Sequence, residues 1–188
     1  MPVRSGPGAI VTQQKEIRAM TLEQLQLIFP KATTETWHRH LHGGGWVENT
    51  AMVADTVFIG PNALICGEAR VFGKTRVCDN ARVVGKAQVS GEARIYGMAH
   101  VYGKARVSGY AWVCGEAHVY DEARVFGKAE VHGRVRVYGS AQVYDKAEVF
   151  GSANICGNSR VYGKAKVYGW AWICGKTKLC GEANICAV

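Results

Sequence analysis

Apolar and polar residues alternate along most of this chain with a period of two, and the alternation restarts every six residues. Ala63-Leu64-Ile65-Cys66-Gly67-Glu68 is followed by Ala69-Arg70-Val71-Phe72-Gly73-Lys74, and the frame runs from Ala51 to Val188 without an insertion, 23 hexads over 138 residues. The first slot is nearly always Ala, the third is Val, Ile or Leu, and the fifth is Gly or Asp except at Pro61 and Ala187. In an extended segment slots one and three share a face. Ala and the aliphatic residue therefore point inward, and slots two and four point outward. Gly and Asp tolerate positive φ better than other residues, so slot five turns the chain and the polar sixth slot lies at a corner. A fixed short period over most of a chain marks a solenoid. Three short walls of this kind close a triangular coil of about 18 residues, with neighbouring coils about 4.8 Å apart through parallel ladder bonds. The expected fold class is all-β: a parallel, triangular β-helix of hexapeptide repeats.

The first fifty residues break the pattern. Residues 1–9 are small and rich in Gly and Pro and read as a flexible tail. Thr21-Leu22-Glu23-Gln24 fits a capping box and predicts a helix over Leu22–Phe29 that stops before Pro30. A second short helix is expected over Glu35–His40, ended by Gly43. The first coil of a solenoid exposes a bare apolar cross-section and an unpaired strand edge, and both need a cover. Leu22, Leu25, Leu27, Ile28 and Phe29 are the residues expected to supply it. The chain thus divides into a tail and helical N-terminal cap over 1–50 and a solenoid over 51–188.

Composition narrows the class. A chain of 188 residues that is 48% hydrophobic, with 23 glycines, excludes a disordered protein and fits one β-rich domain with a small appended cap. No run is long and apolar enough to span a bilayer, and the N-terminus lacks a signal-peptide pattern, so a cytoplasmic protein with no membrane partner is expected. The seven cysteines recur only in the fourth slot, never at zinc-ribbon spacing. Cys156 and Cys174 fall one coil apart, close enough for a disulfide under oxidation. In a reducing compartment free thiols are expected.

The Ala-x-Val-x-Gly-x tracts resemble the hexapeptide-repeat, left-handed β-helix superfamily to which trimeric acyltransferases belong. Together with Gly43-Gly44-Gly45-Trp46-Val47 ahead of the repeats, they most resemble uncharacterised bacterial and phage solenoid proteins. The resemblance covers Gly43 to Val188, and left-handed winding is what it implies. One departure stands out. The residue after the inward aliphatic is often Tyr or Phe here, where that superfamily places a small or acidic one.

Stacking residues 18 apart sorts the outside by face. Nine basic groups, Arg70, Lys74, Arg106, Arg124, Lys128, Lys146, Arg160, Lys164 and Lys178, fall together against three acidic ones, Glu92, Asp145 and Glu182. Most of the net charge of +8 thus sits on one side. With Phe72, Phe126, Tyr144 and Tyr162 interleaved, that wall is a candidate for binding a polyanion or nucleic acid by charge and stacking. Trp170, Trp172 and Val188, outward and apolar in the last coils, are candidates for self-association. A homo-oligomer through end or side contacts is expected. The enzymatic alternative implied by the resemblance is acyl transfer from an acyl-coenzyme A, with His100, His118 or His132 as general base at a subunit interface. His38, His40 and His42 would share a face on an extended segment and are the candidate metal ligands. No cofactor is expected. The reading that the repeat favours is a non-catalytic structural, scaffold or binding protein.

Overall fold

The structure, a computed structural model, describes residues 19–187. The tail expected over 1–9 lies outside these residues, as does Val188. The described chain holds one helix, α1 (Leu22–Ile28), and 25 short strands. After β1 (Trp37–Arg39), strands β2 (Trp46–Glu48), β3 (Met52–Val53) and β4 (Phe58–Ile59) open three walls, here called A, B and C. Each later strand joins these walls in strict rotation, giving sheets of nine, eight and eight strands. Every pairing from β2 onward is parallel with partners 18 residues apart, as Arg70 opposite Gln88 and Val71 opposite Val89. Three hexads therefore make one coil. The repeat register reaches back to Trp46, which pairs with Leu64.

The inward residues form a single apolar column. Ala and Val, Ile or Leu at slots one and three are fully buried from Ala63 through Val167, with Thr75 and Ser159 as the polar members. Each of these two hydroxyls bonds to the carbonyl three residues before it, Thr75 to Phe72 at 2.8 Å and Ser159 to Cys156 at 2.7 Å. No buried side-chain N or O is left without a partner among the described residues. Backbone groups are satisfied coil to coil, as in Arg70 N–H to Ala87 O at 2.9 Å and Lys74 N–H to Gly91 O at 2.7 Å. Most of the stability comes from the buried aliphatic column.

The corner chemistry follows the expected logic. Asp79, Asp121 and Asp145, which replace Gly at slot five, have φ of 57°, 57° and 61°. Each adds a bond that Gly cannot make: its carboxylate accepts from the glycine N–H one coil on, at 2.9, 3.1 and 3.2 Å.

The cap differs from expectation in two respects. Helix α1 forms with its capping box, Gln24 N–H to Thr21 Oγ1 at 3.3 Å and Thr21 N–H to Gln24 Oε1 at 2.9 Å. Yet it lies on the outer face of wall A and not over the axis. Leu25 is buried with Ala32, Trp37, Trp46, Leu64 and Cys66, in a cluster separate from the axial core. Leu27 is exposed. The second segment is no helix: Trp37–Arg39 is a strand, antiparallel to β2. The bare edge of β2 offers ladder bonds that a helix at Glu35–His40 would leave unmade. At the open end the turn after β1 covers the first strand of wall C, while Ala51, Val53 and Ala54 stay partly buried. There His42 O accepts from Ile59 N–H at 2.9 Å, and Gly45 N–H donates to Ile59 O at 3.0 Å. Gly43 has φ of 101° and its backbone abuts the Ile59 carbonyl, so a Cβ there would collide. Gly45 is held by a like collision with Ile59 and Gly60, and Gly44 by its φ of 72°.

Candidate functional site

The turn at slot five decides which side chains share a surface. It restarts the alternation, so slot six points with slots two and four of the next wall. Lys104 and Glu122 line one hollow with Arg106 and Arg124. Glu92, Tyr110 and Lys128 line another with Arg94, Trp112 and Glu130. This corrects the grouping made from the sequence. Arg70, Arg106, Arg124, Arg160 and Lys178 are on wall B, as the pairings place them. Lys74, Lys128, Lys146 and Lys164 turn instead toward wall C. Lys86, Lys104 and Lys176 take their place beside wall B. That wall remains the most basic, with eight cations and two carboxylates, Glu68 and Glu122. Both carboxylates are already engaged by lysines one coil away, Lys86 and Lys104, each at 3.4 Å.

Of the aromatic residues on wall B, Phe72 stands alone and is 40% exposed, whereas the other three cover one another. Phe126, Tyr144 and Tyr162 stack on one another with centroids 4.8 and 4.9 Å apart and planes within 1°. A base inserted between two rings needs about 7 Å, twice the ~3.4 Å stacking rise. Similar ladders stand on wall A (Tyr102, Tyr120, Tyr138) and on wall C (His132, Phe150, Tyr168). They are cross-strand contacts that stiffen the sheets.

The histidines do not converge. His100 and His118 are register partners on wall A with ring centroids 5.1 Å apart, whereas His132 stacks on Phe150 on wall C. Burial, then each other's charge and Arg82, hold the His100 pKa below its ordinary value. Burial and Arg136 do the same for His118, opposed by Glu116. Both imidazoles are therefore poised neutral near pH 7. In the N-terminal cluster, His38 Nδ1 meets Asn49 Oδ1 at 2.7 Å and His40 Nε2 meets the Val57 carbonyl at 2.9 Å. His42 lies on the following turn, past the strand's end at Arg39, with its ring edge-on to that of His40, centroids 6.4 Å apart. No group of three His, Cys, Asp or Glu residues suited to a metal occurs among the described residues.

The cysteines divide by environment. Cys66 is buried under the cap, and burial together with the Glu48 charge pushes its thiol pKa up to about 12. It stays a neutral thiol. Burial likewise raises Cys78 and Cys114. Cys156 and Cys174 are joined as a disulfide across adjacent coils of wall A, Cα–Cα 4.5 Å. It forms where the stacking of fourth slots brings them together.

Two features share one sequence pattern, of which the sequence reading took up only the second. Gly109-Tyr110-Ala111-Trp112-Val113-Cys114-Gly115 and Gly169-Trp170-Ala171-Trp172-Ile173-Cys174-Gly175 are near copies. In each, slots six and two are both aromatic, which puts two large rings side by side at a corner. The first copy borders a shallow hollow of about 420 Å³ on wall C. The second leaves Trp170 and Trp172 exposed at the end of wall A. The signal was legible: no other hexad places aromatic residues in both slots. No described helix is long and apolar enough to cross a membrane.

Comparison with known proteins agrees with the architecture. A search of curated proteins finds no match for the chain. The family model described as YdcK beta solenoid repeat matches residues 75–91, a single stretch inside the solenoid, and the chain is a β-solenoid repeat protein.

Proposed function

We propose that this chain is a non-catalytic structural or binding protein: a rigid, left-handed hexapeptide-repeat rod that self-associates and presents repetitive faces to partners. The observation that carries this reading is the difference in chemistry between walls of identical backbone. Wall B carries a basic column, wall C mixed charge, and wall A apolar and aromatic groups that its own helix covers at one end. The uncovered far end of wall A holds Trp170 and Trp172, exposed at 70% and 69%. Large rings at that exposure on the least charged wall support a homo-oligomeric contact; Val188, the third residue expected to join it, lies outside the described residues.

Sedimentation across a concentration series tests it. The wild-type chain is expected above monomer mass, with Trp172→Glu returning it to monomer and Trp112→Glu leaving the assembly intact. A wild-type chain that stays monomeric throughout, or a Trp172→Glu variant that assembles unchanged, overturns the self-association. The acyltransferase alternative would draw on His118, half-buried and neutral with Glu116 beside it. A thermal shift with acetyl-coenzyme A, lost in His118→Gln, would favour it over the rod.

A further inference from the structure

The ion pairs of this rod follow one rule, and the most basic outward column stands outside it. All five salt bridges join residues one coil apart: Glu68 to Lys86, Glu122 to Lys104, Glu116 to Arg134, Glu182 to Lys164 and Glu148 to Lys166. The outward column of wall C also holds like-charge partners, Arg76 with Arg94 and Glu130 with Glu148, but both arginines and Glu148 find a ring or a counter-ion one coil away. Arg76 lies over the Phe58 ring and Arg94 over the Trp112 ring, at 4.5 and 5.4 Å, while Lys166 meets Glu148 at 2.9 Å. The outward column of wall B reads Met52, Arg70, Gln88, Arg106, Arg124, Gln142, Arg160, Lys178. It contains no acid and no aromatic ring. Arg106 and Arg124 are direct register partners, a like-charge pairing that costs stability in a sheet. Among the described residues none of its four arginines has a carboxylate within salt-bridge distance.

We infer that this column is a binding strip for an unbranched acidic polysaccharide lying parallel to the rod axis, which deepens the reading of the rod as a presenter of faces. Three features select that occupant. The strip is straight and flat, with one outward side chain per coil at about 4.8 Å. It therefore suits a ribbon-like chain whose charges lie along its length, whereas a duplex winds its phosphates away from a straight line. Guanidinium forks grip carboxylate or sulfate through paired hydrogen bonds. The intervening groups on the same wall are Gln88, Gln142, Ser90 and Ser108, amides and hydroxyls matched to sugar hydroxyls. A single-stranded nucleic acid would want a series of open ring faces for its bases; among the described residues wall B offers one unstacked ring, Phe72, and those of the Phe126–Tyr144–Tyr162 ladder cover one another.

The test is fluorescence anisotropy with labelled oligogalacturonate and, separately, labelled oligouridylate of equal length. The full chain is expected to bind the oligouronate at low salt, with affinity that falls as salt rises. Arg106→Gln/Arg124→Gln is expected to weaken it by about tenfold or more. Lys128→Gln/Lys146→Gln removes the same charge from wall C and is expected to change it by less than about threefold. Arg70→Gln/Arg160→Gln gives a second, independent probe of the strip. Absence of oligouronate binding, equal losses from the two walls, or tighter binding of oligouridylate overturns the inference. Sedimentation of the same variants separates this outcome from failure of the rod reading, since none of the four arginines lies in the Trp170 and Trp172 contact.

Discussion

The two aromatic heptads, Gly109–Gly115 and Gly169–Gly175, are nearly one sequence in two settings. In the first, Trp112 stands between Arg94 and Glu130 of adjacent coils, with the Arg94 guanidinium over its ring, and is 40% exposed. In the second, Trp172 has Asn154 on one side and no described strand on the other, and is 69% exposed. The inward residue that follows each tryptophan behaves likewise: Val113 is fully buried, and Ile173 is 9% exposed. Cover in a solenoid comes from the neighbouring coils, so identical hexads differ by how many neighbours they have. A motif can therefore be structural in the middle of the rod and adhesive near its edge.

The strongest way to break this comparison is to place a charge at the inward slot of each copy. Val113→Asp buries an unpaired carboxylate between two coils and is expected to cost about 3–5 kcal/mol. Ile173→Asp can turn toward water and is expected to cost roughly 2 kcal/mol. Urea unfolding measures both, and equal losses would mean that the end coil is as enclosed as the middle.

Corner glycines give a smaller and cleaner contrast. Gly115 and Gly175 have the same φ of 72°, but a Cβ on Gly115 would meet the Gly133 backbone nitrogen at 2.8 Å, whereas on Gly175 it would meet nothing within 4 Å. Gly175→Ala should show only the cost of left-handed φ, about 1 kcal/mol. Gly115→Ala should add the collision, for roughly 2–3 kcal/mol in all. Thermal melts of the pair isolate the contribution of coil-to-coil approach from that of conformation.

The smallest effect is expected from pH, and it again depends on coils on both sides. His100 and His118 face each other between Arg82 and Arg136, with Glu116 and Tyr102 alongside. Their pKa values lie below the ordinary 6.5. The unfolded chain therefore takes up protons first on acidification. The stability that these neutral imidazoles contribute is complete above that value and is lost as pH falls through the shifted values. The urea midpoint should drop between about pH 7 and pH 5, and less steeply in His100→Gln/His118→Gln. An unchanged slope in that variant would place the pH sensitivity elsewhere.

The architecture was legible because burial, turning and stacking each occupy their own slot. Ala63 and Ile65 point inward, Gly67 turns, and the frame never slips, so the 18-residue register of all three walls could be read before any coordinates. Thr21 and Gln24 marked α1 for the same reason: a capping box is local chemistry. The cap's docking was not local. That Trp37–Arg39 would extend wall A, and that Leu25 would seal against Leu64 and Cys66 outside the axis, depended on the free edge of β2 and on outward apolar groups far along the chain. The candidate site divides in the same way. The arginine column was visible as a spacing of 18, but its true neighbours were not, because Lys74, Lys128, Lys146 and Lys164 sit past the turn and face wall C.

Taken alone, the amino-acid order determined the period, the inward column and the residues that stack lengthwise, since these follow from alternation and positive φ within six residues. The tertiary structure decided where the helix lies, which ring faces remain open, which cations find carboxylates, and which of two like aromatic pairs is exposed. Those outcomes depend on what the next coil or the next wall brings within a few ångströms, and no single hexad contains that information.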